Sequence, residues 1–180
     1  VEAGVEPYFR LGVTIENYID VKAYRINPPK DPAKWARICE HVIRHYNEGW
    51  ANGFHYGITY WEIWNEPDNG INDKTNQMWS GTPEEFYELY RVTSKHLRAC
   101  FGDSIKIGGY ASCGFYAVND INTPNAEALG LSEEPNDWEM RTAFFVRFFD
   151  GFLDMVKKEQ LPLDFFSHHS YGDVQKTVFM

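Results

Sequence analysis

Apolar positions along the chain alternate between a strand-like and a helix-like period, and the alternation predicts an architecture. Tyr8–Ile15 reads as a first extended stretch. Asp31-Pro32 then places an N-cap before a proline at the first helical position. Trp35, Ile38, Cys39, Val42, Ile43 and Tyr46 follow at helical spacing, and Gly49 closes the helix. Gly57–Asn65 predicts a second strand. Thr82-Pro83-Glu84-Glu85 is a capping box opening a helix whose stripe is Phe86, Leu89, Tyr90, Thr93 and Leu97, with Gly102 as its stop signal.

Ser104–Ala111 predicts a third strand, whose two glycines mark a bulge or a close backbone approach. A polar stretch from about Cys113 to Asp137 follows, and connections of that length are functional or disordered. A third helix starts near Trp138 and carries Phe144, Phe145, Phe148, Phe149, Phe152 and Val156, a face wide enough to meet a sheet and a neighbouring helix together. Leu163–Tyr171 predicts a fourth strand, and Asp173–Met180 begins what reads as another helix. Strands alternating with helices imply the α/β class, a parallel sheet with helical crossovers.

The second strand ends on the most informative run in the chain, Tyr60-Trp61-Glu62-Ile63-Trp64-Asn65-Glu66-Pro67-Asp68. Aromatic and β-branched residues suit a buried strand, and Pro67, with no N–H for a ladder, stops it. A carboxyl group at the carboxyl end of a buried strand sits where α/β barrels place their chemistry. Aromatic walls around it would exclude water, the environment in which a carboxyl serves as a general acid. A solvent-facing Glu at a strand end is the plain alternative for a lone Glu; Trp-Asn-Glu-Pro is a more specific pattern. Glu62 shares parity with Glu66 and needs a partner if buried, for which Arg10 on the neighbouring strand is the candidate. Asp68 is expected to cap the following loop.

Trp64-Asn65-Glu66-Pro67 resembles the acid/base motif of the clan of retaining glycoside hydrolases built on (β/α)8 barrels, and the wider context is most similar to glycoside hydrolase family 39, the β-xylosidase and α-iduronidase group. Pro7-Tyr8-Phe9-Arg10-Leu11-Gly12 resembles that family's third strand, although Arg10 stands where an acidic residue is common. Ile105-Lys106-Ile107-Gly108-Gly109 resembles its fifth strand, and Asp164-Phe165-Phe166-Ser167-His168-His169-Ser170-Tyr171 its sixth. The resemblance implies a partial (β/α)8 TIM barrel, about strands 3 to 6, with residues 1–180 the central segment of one catalytic domain and the remainder of the barrel absent. It further implies that Glu66 is the general acid/base and Asn65 the ligand of the sugar 2-hydroxyl. His169 and Tyr171, two apart on one strand face, would line the sugar subsite. The clan's nucleophile, a Glu ending the seventh strand, has no match here and would lie outside this chain. Trp79 and Tyr116, in the loops after the second and third strands, are candidates to stack on a sugar, or equally to pack on their own loops.

A (β/α)8 barrel takes about 250 residues, whereas this chain has 180 and opens Val-Glu-Ala without a start methionine, as expected of a piece of a longer protein. No signal peptide is seen, and no apolar run approaches the ~18 residues needed to span a membrane. A net charge of -9 argues against nucleic acid or anionic membranes as partners and is compatible with a carbohydrate substrate. The cysteines Cys39, Cys100 and Cys113 form no C-x-x-C motif and are expected to be buried free thiols. His168 and His169, adjacent on a strand, point to opposite faces and cannot share a metal; no metal and no cofactor are expected. Two functions stand side by side: a segment of a retaining glycosidase, and a non-catalytic sugar-binding or truncated relative that keeps half the cleft. A half barrel would also expose the outer edges of Tyr8–Ile15 and Leu163–Tyr171, which predicts self-association through those edges.

Overall fold

The computed structural model describes residues 4–13, 26–72, 74–113, 134 and 136–169. They form strands β1 (Tyr8–Leu11), β2 (Tyr60–Ile63), β3 (Lys106–Ser112) and β4 (Phe165–His168), and helices α1 (Pro32–Asn47), α2 (Pro83–Phe101) and α3 (Asp137–Glu159). The strands make one sheet in the order β1-β2-β3-β4, every pair parallel. The alternation read from the sequence is therefore the architecture observed.

Each helix begins where its cap dictates. Asp31 accepts a hydrogen bond from the Lys34 N–H at 2.9 Å, with Pro32 at the first helical position. The Thr82–Glu85 box closes in both directions, at 3.2 and 2.8 Å. Asn136 caps α3 through the N–H groups of Trp138 and Glu139, and Glu139 returns a bond to the Asn136 N–H. The stripe predicted for α2 is buried in full, Phe86, Leu89, Tyr90, Thr93 and Leu97 all lying against the core. Burial of each large member contributes roughly 1.5–3 kcal/mol. Ile38 is the exception on α1. It is half exposed, because it borders an open apolar groove between β1 and α1 that Leu11, Val13, Cys39, Val42 and Trp64 also line.

All four strands are shorter than the runs read from the sequence, β1 ending at Leu11 and β4 spanning only Phe165–His168. β2 stops at Ile63 because Trp64 turns to φ 71, a left-handed conformation that breaks the ladder, and it starts late because Gly57 lies at φ 66. β3 starts at Lys106 because Gly102–Ser104 form a single 3-10 turn off the end of α2. The close approach predicted for its glycines is real: a Cβ on Gly108 would sit 2.3 Å from the Phe165 carbonyl oxygen, and one on Gly109 would sit 2.7 Å from that of Ile63. The sheet can therefore close up only with glycine at these two positions.

One face of the sheet packs on the helices through a continuous aromatic core. Tyr110 meets Phe86, Phe148, Phe152 and Phe166, mostly edge to face. On the other face Tyr8, Tyr60 and Phe165 gather at the amino ends of their strands. The register places Arg10 beside Glu62 and Glu62 beside Gly108 in one row across that face.

Candidate active site

Glu66 lies just past the carboxyl end of β2, which the left-handed turn at Trp64 closes ahead of Pro67. Its backbone has φ 48, and its N–H is shared between the carbonyls of Tyr110 and Ala111 on β3 at 3.1 and 3.2 Å. Positive φ is uncommon for a residue with a side chain, and three such residues, Trp64, Glu66 and Ala111, cluster at the adjacent ends of β2 and β3. Strain of this kind persists only where the surroundings over-determine it, and it gathers at working sites.

The Glu66 side chain is almost enclosed and is held on both oxygens. Oε1 lies 2.5 Å from His169 Nδ1, and Oε2 accepts a hydrogen bond from the Asn69 amide at 2.9 Å. Asn69 in turn accepts from the Arg141 guanidinium of α3 at 2.8 Å. His169 is positioned from β4, its N–H donating to the Ser112 carbonyl at 2.8 Å. Of the residues expected at the site, Glu66 and His169 are thus brought into direct contact. Asn65 is wholly buried beside Glu66 in sequence, and neither its amide nitrogen nor its carbonyl oxygen has a hydrogen-bond partner among the described residues. An orphaned buried amide costs about 1–3 kcal/mol, so one that persists calls for a ligand or a water. Tyr171 and Tyr116 lie outside the described residues.

Of the two places expected for Trp79, a sugar platform or packing on its own loop, the structure shows the second. Asn76 Oδ1 accepts hydrogen bonds from the N–H groups of Met78 and Trp79, folding the loop so that the indole turns inward. The ring is buried, packed edge to face on Trp64 and Phe86, and its N–H donates to the Thr82 carbonyl at 2.9 Å. It offers no face to a sugar. Asp68 departs from expectation. Rather than capping its own loop, its carboxyl reaches β3, accepting from the Cys113 N–H at 3.0 Å and meeting the Ser112 hydroxyl. Burial pushes the Asp68 carboxyl above its usual range.

The partner expected for Glu62 is present. Its carboxylate accepts from Arg10 Nε on one oxygen, and from the Tyr8 hydroxyl at 2.8 Å and the Ser167 hydroxyl at 2.6 Å on the other. Cys113 is buried, and burial, together with the Asp68 and Glu66 carboxyl groups, pushes its thiol up; it accepts a long hydrogen bond from Arg141. Cys39 is buried as expected, while Cys100 is only half-buried, beside His96 and Glu40. Those three residues are the one group among the described residues with metal-ligand spacing. It lies in the helical layer, where Arg44 already binds Glu40 at 2.8 Å and brings a positive charge unfavourable to a cation. Sequence reasoning missed Asn69 and Arg141, which lie 72 residues apart and meet only in the fold.

The sequence profile of Glycosyl hydrolases family 39 matches residues 1–179. The chain belongs to glycosyl hydrolase family 39. Two β-xylosidases are among its relatives: that of Geobacillus stearothermophilus is 27% identical over 152 residues, 81% of this chain and 22% of that protein. That of Caldicellulosiruptor saccharolyticus is 26% identical over 118 residues, 62% of this chain and 23% of that protein. A glucosidase from Croceicoccus marinus superimposes with a TM-score of 0.57 at 30% identity, covering 82% of this chain and 24% of that one. A monomeric β-xylosidase from Caulobacter crescentus CB15 gives 0.55 at 22% identity, covering 95% and 28%, a likeness of fold. This family 39 chain spans about a quarter of the length of the relatives it matches.

Proposed function

We propose that the chain forms the acid/base side of a retaining glycosidase site, about strands 3 to 6 of a (β/α)8 barrel, in a protein that hydrolyses O-glycosidic bonds of the β-xyloside type. Glu66 protonates the glycosidic oxygen as the bond to the leaving group breaks. A nucleophile Glu outside this chain, about 5–5.5 Å away as retention requires, forms the glycosyl-enzyme. Glu66 then takes the proton of the water that releases the sugar. The Asn65 amide binds the 2-hydroxyl, His169 and Tyr171 line the subsite, and Tyr116 is a candidate platform. The observation that carries this reading is the pairing of an enclosed Glu66 carboxyl, held on both oxygens, with the buried amide of Asn65, which has no hydrogen-bond partner among the described residues. The open apolar groove along β1 supports continuation of the sheet on that side.

Glu66→Gln in the full-length protein tests the reading. A poor alkyl leaving group depends on protonation, so its turnover falls by ~10²–10⁴-fold, whereas an activated aryl glycoside keeps its first step. Azide, which needs no base, restores the second step and yields a glycosyl azide of retained configuration. Equal losses for both leaving groups, with no rescue, refute the assignment. A wild-type parent without glycosidase activity would favour the non-catalytic relative.

A further inference from the structure

We propose that Arg10 is a positioning residue that fixes the tautomer of His169, so that the imidazole presents its Nδ1–H to Glu66. Arginine has N–H donors only and keeps its proton at any ordinary pH. Arg10 Nη2 lies 3.3 Å from His169 Nε2, so that nitrogen must offer its lone pair. In a neutral imidazole the proton then sits on Nδ1, 2.5 Å from Glu66 Oε1. The Glu66 carboxyl in its acid form suits either tautomer, accepting from Nδ1–H or donating its O–H to a bare Nδ1, so the choice falls to Arg10: the other tautomer would set two donors against each other at Nε2. The imidazolium would bring a second positive charge against the guanidinium.

Arg10 is itself immobilised by Glu62 through Nε, and Glu62 is held by Tyr8 and Ser167. A chain of contacts thus runs from Glu62 in β2, through Arg10 in β1 and His169 beyond β4, back to Glu66 at the end of β2. Pairing with Glu62 alone would explain a structural role and would leave the guanidinium no reason to reach His169. The second nitrogen of the fork makes that contact, and Arg10 occupies the row directly beside Glu62, where no shorter side chain could span both. The consequence for turnover rests on the acid/base reading of Glu66: an imidazole fixed as a donor holds the carboxyl plane in one orientation for proton transfer.

The test uses the full-length protein labelled with nitrogen-15, with the His169 signals assigned by their loss in His169→Gln. Two-bond proton–nitrogen correlations show the Nδ1–H tautomer in the wild type and its loss in Arg10→Met. If that variant does not fold because Glu62 is left unpaired, Arg10→Met/Glu62→Met removes both charges and is read in the same way. The ratio of turnover on poor to good leaving groups falls roughly tenfold in the same variant, a part of the ~10²–10⁴ that a general acid supplies. An Nε2–H tautomer or an imidazolium in the wild type at neutral pH, or an Nδ1–H tautomer that survives loss of Arg10, overturns the proposal. Should Glu66→Gln spare poor leaving groups while the tautomer still depends on Arg10, the acid/base reading fails and the tautomer assignment stands.

Discussion

Replacing Glu62 by Met removes one half of a buried ion pair and leaves the other, and the structure sets the size of the effect. The Glu62 side chain is 2% exposed and that of Arg10 24%. Breaking a buried pair by deleting one partner costs about 3–5 kcal/mol, chiefly through the charge left behind. Partial exposure lets water reach the guanidinium, which argues for the lower end, about 3 kcal/mol. Tyr8 is half exposed and can rehydrate its hydroxyl, so it adds little. Ser167 keeps the Ala111 N–H as a donor to its oxygen at 2.9 Å but loses the acceptor for its own O–H, worth about 1 kcal/mol. The sum is about 4 kcal/mol, a large share of the 5–15 kcal/mol that separates a typical folded domain from its unfolded state. Arg10→Met/Glu62→Met removes both charges and should recover about 3 kcal/mol of that loss, since apolar replacement of a whole buried pair is often close to neutral. Urea denaturation of the full-length protein and its three variants, read as a double-mutant cycle, measures the coupling. A Glu62→Met cost below about 1 kcal/mol, or a double variant as unstable as the two single losses added together, refutes the account.

Two further outcomes follow from local geometry. Thr82→Ala opens the capping box and should lower stability by about 1 kcal/mol, read from the urea midpoint, with Thr82→Ser restoring most of it. Burial raises the Asp68 carboxyl above its ordinary 3.8, so the folded chain holds this proton to higher pH than the unfolded chain does. Stability from this group is complete below 3.8 and is lost as the pH climbs through the folded-state value. Asp68→Asn mimics the protonated form, its carbonyl accepting from the Cys113 N–H and its amide donating to Ser112, and should flatten that dependence; identical pH slopes for the two proteins would contradict it.

The helices were legible because their signals are local. Asp31-Pro32, the Thr82–Glu85 box and the phenylalanine-rich face of α3 each specify an element through residues within a few turns of one another. Strand ends were less legible because the apolar run and the ladder are different things: Trp64 is as apolar as Trp61 yet leaves the sheet, its indole N–H donating to the Met78 carbonyl. The place of Glu66 near the strand's carboxyl end followed from the Trp-Asn-Glu-Pro run, although the ladder ends at Ile63 and not at Pro67, and the Arg10–Glu62 pair followed from strand parity. Trp79 could not be placed, since what turns it inward is the side-chain carbonyl of Asn76 three residues earlier. Asn69 and Arg141 carry no sequence signal of their own, because the pair exists only once α3 is docked on the sheet.

The site is also where local rules of the chain are broken, and the compensation is tertiary. A residue before proline prefers an extended backbone, yet Glu66 stands at φ 48. Left-handed geometry at a non-glycine residue costs of order 1–3 kcal/mol. Each of the three strained residues answers that cost with a donated N–H: Trp64 to the Leu11 carbonyl, Glu66 to the carbonyls of Tyr110 and Ala111, and Ala111 to the Ser167 hydroxyl. These partners come from β1, β3 and β4, so the conformation that aims the Glu66 carboxyl depends on the register of all three other strands. Local propensity therefore points away from the geometry that the fold imposes on Glu66. The glycines make that geometry possible: Gly12 gives the Trp64 ring its space, and Gly109 lets β3 approach β2 closely enough for Tyr110 and Ala111 to receive the Glu66 N–H.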